Sequence, residues 1–163
     1  MKRQIDFNNI DGLREYGFEG FMTKDELFAD SSSIPDHKGV YFILRDDSSS
    51  PVYLEIGSGG YFKKKNPNAA LLELTNNWVE GVKLLYIGKA NNLRKRLRQY
   101  FAFGQGKNVG HWGGRYIWQL ADSRKLVVCW KTLDDADARA VEKLLINEFR
   151  EKYGSRPFAN LAD

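Results

Sequence analysis

Four short runs of apolar, β-branched and aromatic residues limit what this chain can fold into. They cover residues 39–44, 52–56, 82–88 and 126–131, and such runs, bounded by turn-forming residues, are typical of strands. The stretches between them contain helical patterns, but strands and helices do not alternate regularly. Since 163 residues suffice for one domain with a core and hardly for two, we expect a single α+β domain.

The single cysteine and the lack of long apolar segments indicate in which cellular environment the chain is found. Cys129 cannot form an internal disulfide, and its apolar neighbours predict a small buried side chain in a reducing compartment. The first residues lead into no apolar signal region, and no stretch approaches the roughly 18 apolar residues of a membrane span. We therefore expect a cytoplasmic protein without a membrane partner, whose oligomeric state, including a homodimer, stays open.

The positive charge is concentrated in one part of the sequence. The net charge of +4 would be weak support for an anionic partner if it were spread evenly. Residues 81–121, however, contain eight basic and no acidic residues, whereas the remainder has 17 basic and 21 acidic ones. This acid-free block is either a solvated face without a function or an anion-binding surface, and the complete absence of acids favours the second interpretation.

The helix predicted from Leu93 to Phe101 within this block is amphipathic. Asn92 is a suitable N-cap, and four apolar residues fall within an arc of about 100 degrees. Arg94, Lys95 and Arg98 turn away from that arc, towards solvent or phosphate, while Arg96 lies at its edge. Arg96 is thus placed to reach across the sheet, with a structural ion pair as the alternative.

A second predicted helix runs from an N-cap at Asp134 to about Tyr153, with Gly154 as its C′ residue. Stepping 100 degrees per residue places Glu142 in the middle of its apolar face. A carboxylate at such a position is costly to desolvate unless it meets a cation, a metal ion or strong donors. Glu142 is therefore the one acid whose position requires a partner.

Several of these segments, in this order, resemble the GIY-YIG nuclease domain. They are Gly39-Val40-Tyr41, then 86–96 (YIGKANNLRKR), 142–149 (EKLLINEF) and 157–161 (PFANL). The resemblance covers residues 39–163 and implies a small antiparallel central sheet flanked by helices. We expect residues 1–36 to be an N-terminal extension packed on this domain, which would span 37–163.

The resemblance implies metal-dependent cleavage of DNA phosphodiester bonds. The family's catalytic side chains match Tyr41, Tyr86, Lys89, Arg96, Tyr100, Glu142 and Asn160. With one carboxylate, a single Mg²⁺ (or Mn²⁺) held by Glu142 is more plausible than a two-metal site. Arg96 would hold the scissile phosphate. Tyr41 is the candidate general base if a nearby cation such as Lys89 lowers its pKa from about 10, and Tyr86 would orient the water or phosphate.

The chain departs from the minimal family domain between its two tyrosine motifs. Residues 42–85 separate them, where a short hairpin would suffice, so we expect an insertion at 57–80 that contacts DNA or covers the site. Its GSGG sequence lacks a following GK[ST] and does not indicate a nucleotide-binding loop.

Further DNA contacts are expected from the acid-free block. The candidates are Arg94, Lys95, Arg98, Lys107, His111 and Arg115. His111 is equally compatible with a loop histidine without a special role, and two histidines and one cysteine far apart exclude a conventional zinc site. The sequence thus predicts a DNA endonuclease, with a non-catalytic nucleic-acid-binding module on the same fold as the main alternative and a small-molecule or protein-binding domain as a third.

Overall fold

The computed structural model describes residues 4–161. Four antiparallel strands form its sheet: β1 (Glu19–Thr23), β2 (Gly39–Leu44), β3 (Leu84–Ala90) and β4 (Val127–Thr132). Their order is β1-β4-β2-β3, so that β2 is a central strand and β3 lies at an edge. The expected α+β architecture, a small antiparallel sheet flanked by helices, is confirmed.

Five α-helices surround the sheet: α1 (Ile10–Tyr16), α2 (Lys24–Ala29), α3 (Leu71–Asn77), α4 (Leu93–Phe103) and α5 (Ala138–Tyr153). Three 3₁₀ segments, Phe62–Lys64, Trp112–Gln119 and Ser123–Lys125, complete the structure. No helix of the described residues is long and apolar enough to cross a membrane.

The alternation of side chains along β2 divides the core into two layers. Val40, Phe42 and Leu44 face the layer that contains the apolar face of α5. Tyr41 and Ile43 face the opposite layer, which contains the apolar face of α4. Both layers are needed because all six residues of β2 are buried, as expected for a central strand covered on both faces.

The start of α4 follows from its sequence. The Asn92 side chain accepts a hydrogen bond from the Lys95 backbone N–H, which satisfies one of the free donors at the helix N-terminus. The residues of the predicted apolar arc, Leu93, Leu97, Tyr100 and Phe101, are all buried. This helix is therefore fixed to the sheet by the stripe that its sequence predicts.

Three expectations about local structure were wrong. Residues 52–56 form no strand of the sheet; Tyr53 makes only an isolated bridge to Leu120, because the segment runs along the end of the Trp112–Gln119 helix instead. The N-cap position of helix α5 is Asp137 rather than Asp134, and the Asp137 side chain makes no capping hydrogen bond. Strand β1 was missed, since Gly20 has φ 98° and a bulge there interrupts its pairing with β4.

Residues 4–36 are part of the same sheet and core as the rest of the described chain. They supply the edge strand β1 and buried side chains such as Phe7, Leu13 and Phe18. The expected insertion, 57–80, carries α3 and is joined to the domain by hydrogen bonds from Ser58 N to Trp118 O and from Gly60 N to Phe103 O. Residues 1–3 and 162–163 of the predicted regions lie outside the described residues.

Candidate active site

Side chains from four elements meet at a cleft of about 350 Å³ beside the edge strand. Tyr41 comes from β2, Tyr86 and Lys89 from β3, Arg96 from α4 and Glu142 from α5. The structure therefore brings together five of the seven residues that the sequence analysis assigned to catalysis. We call this the tyrosine cleft.

The close approach of Tyr41 explains the glycine that follows Tyr86-Ile87. Tyr41 lies directly opposite Gly88 in the β2–β3 register, and its ring covers that glycine. A Cβ atom added to Gly88 would lie 2.2 Å from the Cζ atom of Tyr41. Only glycine leaves room for the tyrosine ring at this point of the sheet.

His111 lies behind the two tyrosines, in the interior. Its side chain is 0% exposed, and its Nε2 atom is 2.7 Å from the Tyr41 hydroxyl oxygen. The ring centroids of His111 and Tyr100 are 4.1 Å apart, and the buried Nδ1 has no hydrogen-bond partner among residues 4–161. The direct phosphate contact that the sequence suggested for His111 is not available to this buried ring; it contacts Tyr41 instead.

Burial and charge act in opposite directions on the ionisable groups of the site. Burial, followed by the charge of Arg96, lowers the pKa of His111 well below its usual range, which keeps the imidazole neutral at pH 7. Burial raises the pKa of Tyr41 well above 10, and the neighbouring Tyr86 adds to this. Lys89 was expected to lower the Tyr41 pKa, but the cation that lowers it is Arg96, and desolvation outweighs this effect. Burial and the charge of Glu142 raise the pKa of Tyr86 to about 12.

Tyr100 and Asn160 support the site without lining the cleft. Tyr100 is buried, and its hydroxyl donates to the Gly114 carbonyl at 3.3 Å. The Asn160 amide accepts from the Ile87 N–H and donates to the Ile87 carbonyl, each at 2.9 Å. Asn160 thus satisfies the backbone on the open side of edge strand β3, next to Tyr86, as a neighbouring strand would.

Arg96 is held by the loop that carries His111. Its Nη1 donates to the Gly110 carbonyl at 2.8 Å and to the Gln99 side chain at 3.1 Å. The alternative of a structural ion pair is not realised, because no carboxylate of the described residues lies within 4.0 Å of this guanidinium. The remaining donors of Arg96 are therefore available to an anion in the cleft.

Glu142 is a half-buried carboxylate without a direct partner in the described part of the chain. Desolvation raises its pKa, and the positive charges of Lys89, Arg139 and Arg96 only partly offset this effect. No group of three or more His, Cys, Asp or Glu side chains among residues 4–161 could hold a metal ion alone. One carboxylate oxygen donor beside open space nevertheless suits Mg²⁺, which keeps several water ligands and binds substrate phosphates.

The structure separates the basic residues that were expected to contact DNA. Arg94 donates to the carbonyls of Ile34 and Ser32, and Arg98 donates to the Ser31 hydroxyl. These two arginines thus hold the segment that leads into β2. Lys95 and Lys107 are exposed, whereas Arg115 is half-buried and lies over the ring of Trp112.

Two charged residues of the cleft were not found from the sequence. Arg139 and Asp137 line it at the start of α5. Arg139 precedes Glu142 by three residues, so the two share a helix face, and this spacing could have identified the arginine. The position of Asp137 depends on where α5 begins, which the sequence analysis had misplaced.

Comparison with known proteins gives one family. Residues 79–154 match the GIY-YIG catalytic domain. The UvrABC system protein C of Campylobacter jejuni subsp. jejuni is 34% identical over 71 residues, 44% of this chain and 12% of that protein. The protein of the same name from Campylobacter jejuni subsp. doylei is 34% identical over 91 residues, 55% of this chain and 15% of that protein. The chain thus matches only a small part of these relatives, and no solved structure matches it.

Proposed function

We propose that this chain, which matches the GIY-YIG catalytic domain over residues 79–154, is a nuclease of that family. It would be a metal-dependent DNA endonuclease that hydrolyses phosphodiester bonds at the tyrosine cleft. One observation carries this proposal. Tyr41, Tyr86, Lys89, Arg96 and Glu142 line a single cleft, although the first and the last are 101 positions apart in the sequence. Together they provide the proton acceptor, the cations and the oxygen ligand that phosphodiester hydrolysis requires.

The two cations of the cleft bind the scissile phosphate. Arg96 is oriented by the Gly110 carbonyl and offers its other N–H groups as a planar pair of donors. Lys89 is exposed at the end of β3 and adds a second positive charge. Both lower the free energy of the negative charge that develops on the phosphoryl oxygens.

Glu142 is the residue that would hold the divalent ion, with water and phosphate oxygens as the other ligands. When bound, Mg²⁺ or Mn²⁺ supplies Lewis-acid stabilisation of the phosphoryl and leaving oxygens. Glu142, whose pKa is raised by desolvation, would be kept ionised by the charge of such an ion.

The Tyr41–His111 pair removes the proton from the attacking water. A free Tyr41 phenolate is costly because burial raises the pKa of this phenol well above 10. The neutral His111 Nε2, 2.7 Å from the Tyr41 hydroxyl oxygen, accepts the Tyr41 proton instead, and because burial and Arg96 lower the pKa of His111 it holds the proton only transiently. As the water oxygen forms its bond to phosphorus, the water proton moves to the Tyr41 oxygen and the Tyr41 proton moves to Nε2. The P–O bond to the leaving oxygen then breaks, the leaving oxygen takes a proton from solvent, and Nε2 returns its proton to solvent through Tyr41. Tyr86 orients the attacking water.

A cleavage assay tests this function. Purified protein is incubated with supercoiled plasmid and Mg²⁺ or Mn²⁺, and nicked and linear products are quantified. We expect metal-dependent nicking that Glu142→Gln and Arg96→Ala abolish. Glu151→Gln, on an exposed position of the same helix, and Arg98→Ala, two residues from Arg96, are the matched controls and should nick at the wild-type rate.

Two outcomes would contradict the proposal. Complete absence of nicking, together with salt-dependent DNA binding that survives Glu142→Gln, would identify a non-catalytic nucleic-acid-binding module. Nicking that continues at an unchanged rate in both Glu142→Gln and Arg96→Ala would place the chemistry elsewhere or in a contaminant.

A further inference from the structure

A second polar cleft lies beside the tyrosine cleft. It has a volume of about 430 Å³ and is lined by three arginines, Arg115, Arg150 and Arg156, and by polar side chains that include Asn76 and Ser155. We call it the arginine cleft. Among the described residues its one acid is Glu73, which accepts a hydrogen bond from the Tyr116 hydroxyl. The described lining thus has three cations and one carboxylate, and uncharged donors accompany them.

Arg115 is the side chain best prepared to bind an anion there. It is half-buried, and its guanidinium lies 4.7 Å from the centroid of the Trp112 ring. It donates to the Trp112 carbonyl at 3.3 Å and has no carboxylate of residues 4–161 within ion-pair distance. A guanidinium that is stacked and partly desolvated loses little freedom when it binds a phosphate through its remaining donors.

The same two elements border both clefts. The 3₁₀ helix Trp112–Gln119 begins next to the tyrosine cleft, since a Cβ atom added to Gly113 would lie 3.7 Å from the Tyr86 hydroxyl. Helix α5 carries Glu142 in one cleft and Arg150 in the other. These two residues are eight positions apart, which corresponds to about 12 Å along a helix.

From this continuity we propose that the arginine cleft binds a backbone phosphate of the DNA strand whose scissile phosphate occupies the tyrosine cleft. A strand of B-form DNA advances about 3.4 Å along the duplex axis per nucleotide and also winds around that axis, so about 12 Å corresponds to roughly two to four nucleotides. The second phosphate thus lies roughly two to four nucleotides from the cleaved bond, on one side of it. The identity of the strand as DNA rests on the proposed function.

A length series of oligonucleotides tests this inference. After the cleavage position has been mapped, fluorescent duplexes that extend two to eight nucleotides beyond it on either side are titrated with full-length protein in EDTA. For wild type we expect a roughly tenfold gain in affinity once the extension on one side reaches about two to four nucleotides. Arg115→Gln should abolish this step and leave the affinity for shorter duplexes unchanged.

The salt dependence provides a second measurement and the controls. Arg115→Gln should reduce the slope of log K against log salt by about one, and Arg115→Lys, which keeps the charge, should retain it. Arg124→Ala, an exposed arginine that contacts Asp25, is the matched control and should leave the length step intact. Thermal unfolding of each variant verifies that it is folded.

The outcomes separate this inference from the proposed function. Wild-type cleavage combined with an unchanged length step and salt slope in Arg115→Gln would overturn the inference alone. Arg115-dependent binding without cleavage would overturn the endonuclease and retain the strand site. If inorganic phosphate binds in an Arg115-dependent manner while duplex length has no effect, the cleft is a site for a free anion and the strand proposal is wrong.

Discussion

Replacing Gly88 by alanine tests the geometry of the tyrosine cleft with a single methyl group. The new Cβ would lie 2.2 Å from Cζ and 2.5 Å from the hydroxyl oxygen of Tyr41, far inside contact distance. The Tyr41 ring must then move, but it is 1% exposed and is packed against Tyr86 and His111. Any movement large enough to accept the methyl group therefore breaks the hydrogen bond between Tyr41 and His111.

Two costs add up in this variant. Forcing an extra methyl group into a packed core costs about 1–3 kcal/mol. Separating the buried Tyr41 hydroxyl from His111 costs a further ~1–3 kcal/mol. The free energy of unfolding should therefore fall by about 2–6 kcal/mol. For a chain of 163 residues, 1 kcal/mol changes Tm by roughly 2–4 °C, so a decrease of roughly 5–20 °C is expected.

A double-mutant cycle isolates the clash. Urea unfolding is measured for wild type, Gly88→Ala, Tyr41→Leu and the double variant. If the methyl group acts through the tyrosine ring, Gly88→Ala should cost much less in the Tyr41→Leu background, with a coupling energy above about 1 kcal/mol. Gly113→Ala is the control, because its Cβ would meet only the Tyr86 hydroxyl at 3.7 Å. A coupling energy near zero would refute the reasoning.

Four further predictions concern individual side chains. His111→Gln, which cannot take up the tyrosine proton, should lower kcat about 100-fold with unchanged DNA affinity; an unchanged kcat in single-turnover assays would exclude the relay. Asn160→Ala removes two hydrogen bonds of 2.9 Å and should lower the free energy of unfolding by about 2 kcal/mol in urea titrations, whereas a neutral effect would argue against its support of β3. Arg94→Ala should reduce thermal stability and leave the salt slope of DNA binding unchanged. Lys95→Ala should lower the salt slope and leave thermal stability unchanged. A lower slope for Arg94→Ala would contradict its structural role. Because desolvation raises the pKa of Glu142, this carboxyl is protonated at a higher pH than an exposed glutamate. The Mg²⁺ concentration for half-maximal cleavage should therefore rise as the pH falls below neutral. An equal half-maximal Mg²⁺ concentration at pH 5.5 and 7.5 would contradict this.

The elements that carry the site could be predicted because their patterns are local. The period of 3.6 residues and a capping asparagine are sufficient to define α4, since the same residues that favour the helix also form its buried face. Glu142 was identifiable as an exception to the apolar pattern of α5. An acid on an apolar stripe is visible in a sequence even when its surroundings are not.

The surroundings of these side chains could not be predicted, because distant segments determine them. Arg94 and Arg98 have the sequence pattern of a solvated basic face, yet residues 31–34 run across that face and accept their hydrogen bonds. His111 follows α4 by eight residues, and only the path of that loop brings it beneath Tyr41. Its buried position therefore has no local signal in the sequence.

The position of Tyr41 shows that the site depends on strand register rather than on the length of the connection. The family match begins at residue 79, so Tyr41 lies outside it, and residues 42–85 intervene before Tyr86. Lengthening a loop costs little, about 0.6 kcal/mol for each doubling, whereas a slip of one residue would move Tyr41 to the other face of the sheet. The pairing of Tyr41 with Gly88 is therefore the feature that must be retained, and the long connection is free to acquire contacts of its own.

The long connection has acquired two such contacts. Gly60 donates a backbone hydrogen bond to the end of α4, and Ser58 donates one to the 3₁₀ helix that carries Arg115. The segment that separates the two tyrosines in sequence thus supports α4, which carries Arg96, and the 3₁₀ helix that carries Arg115.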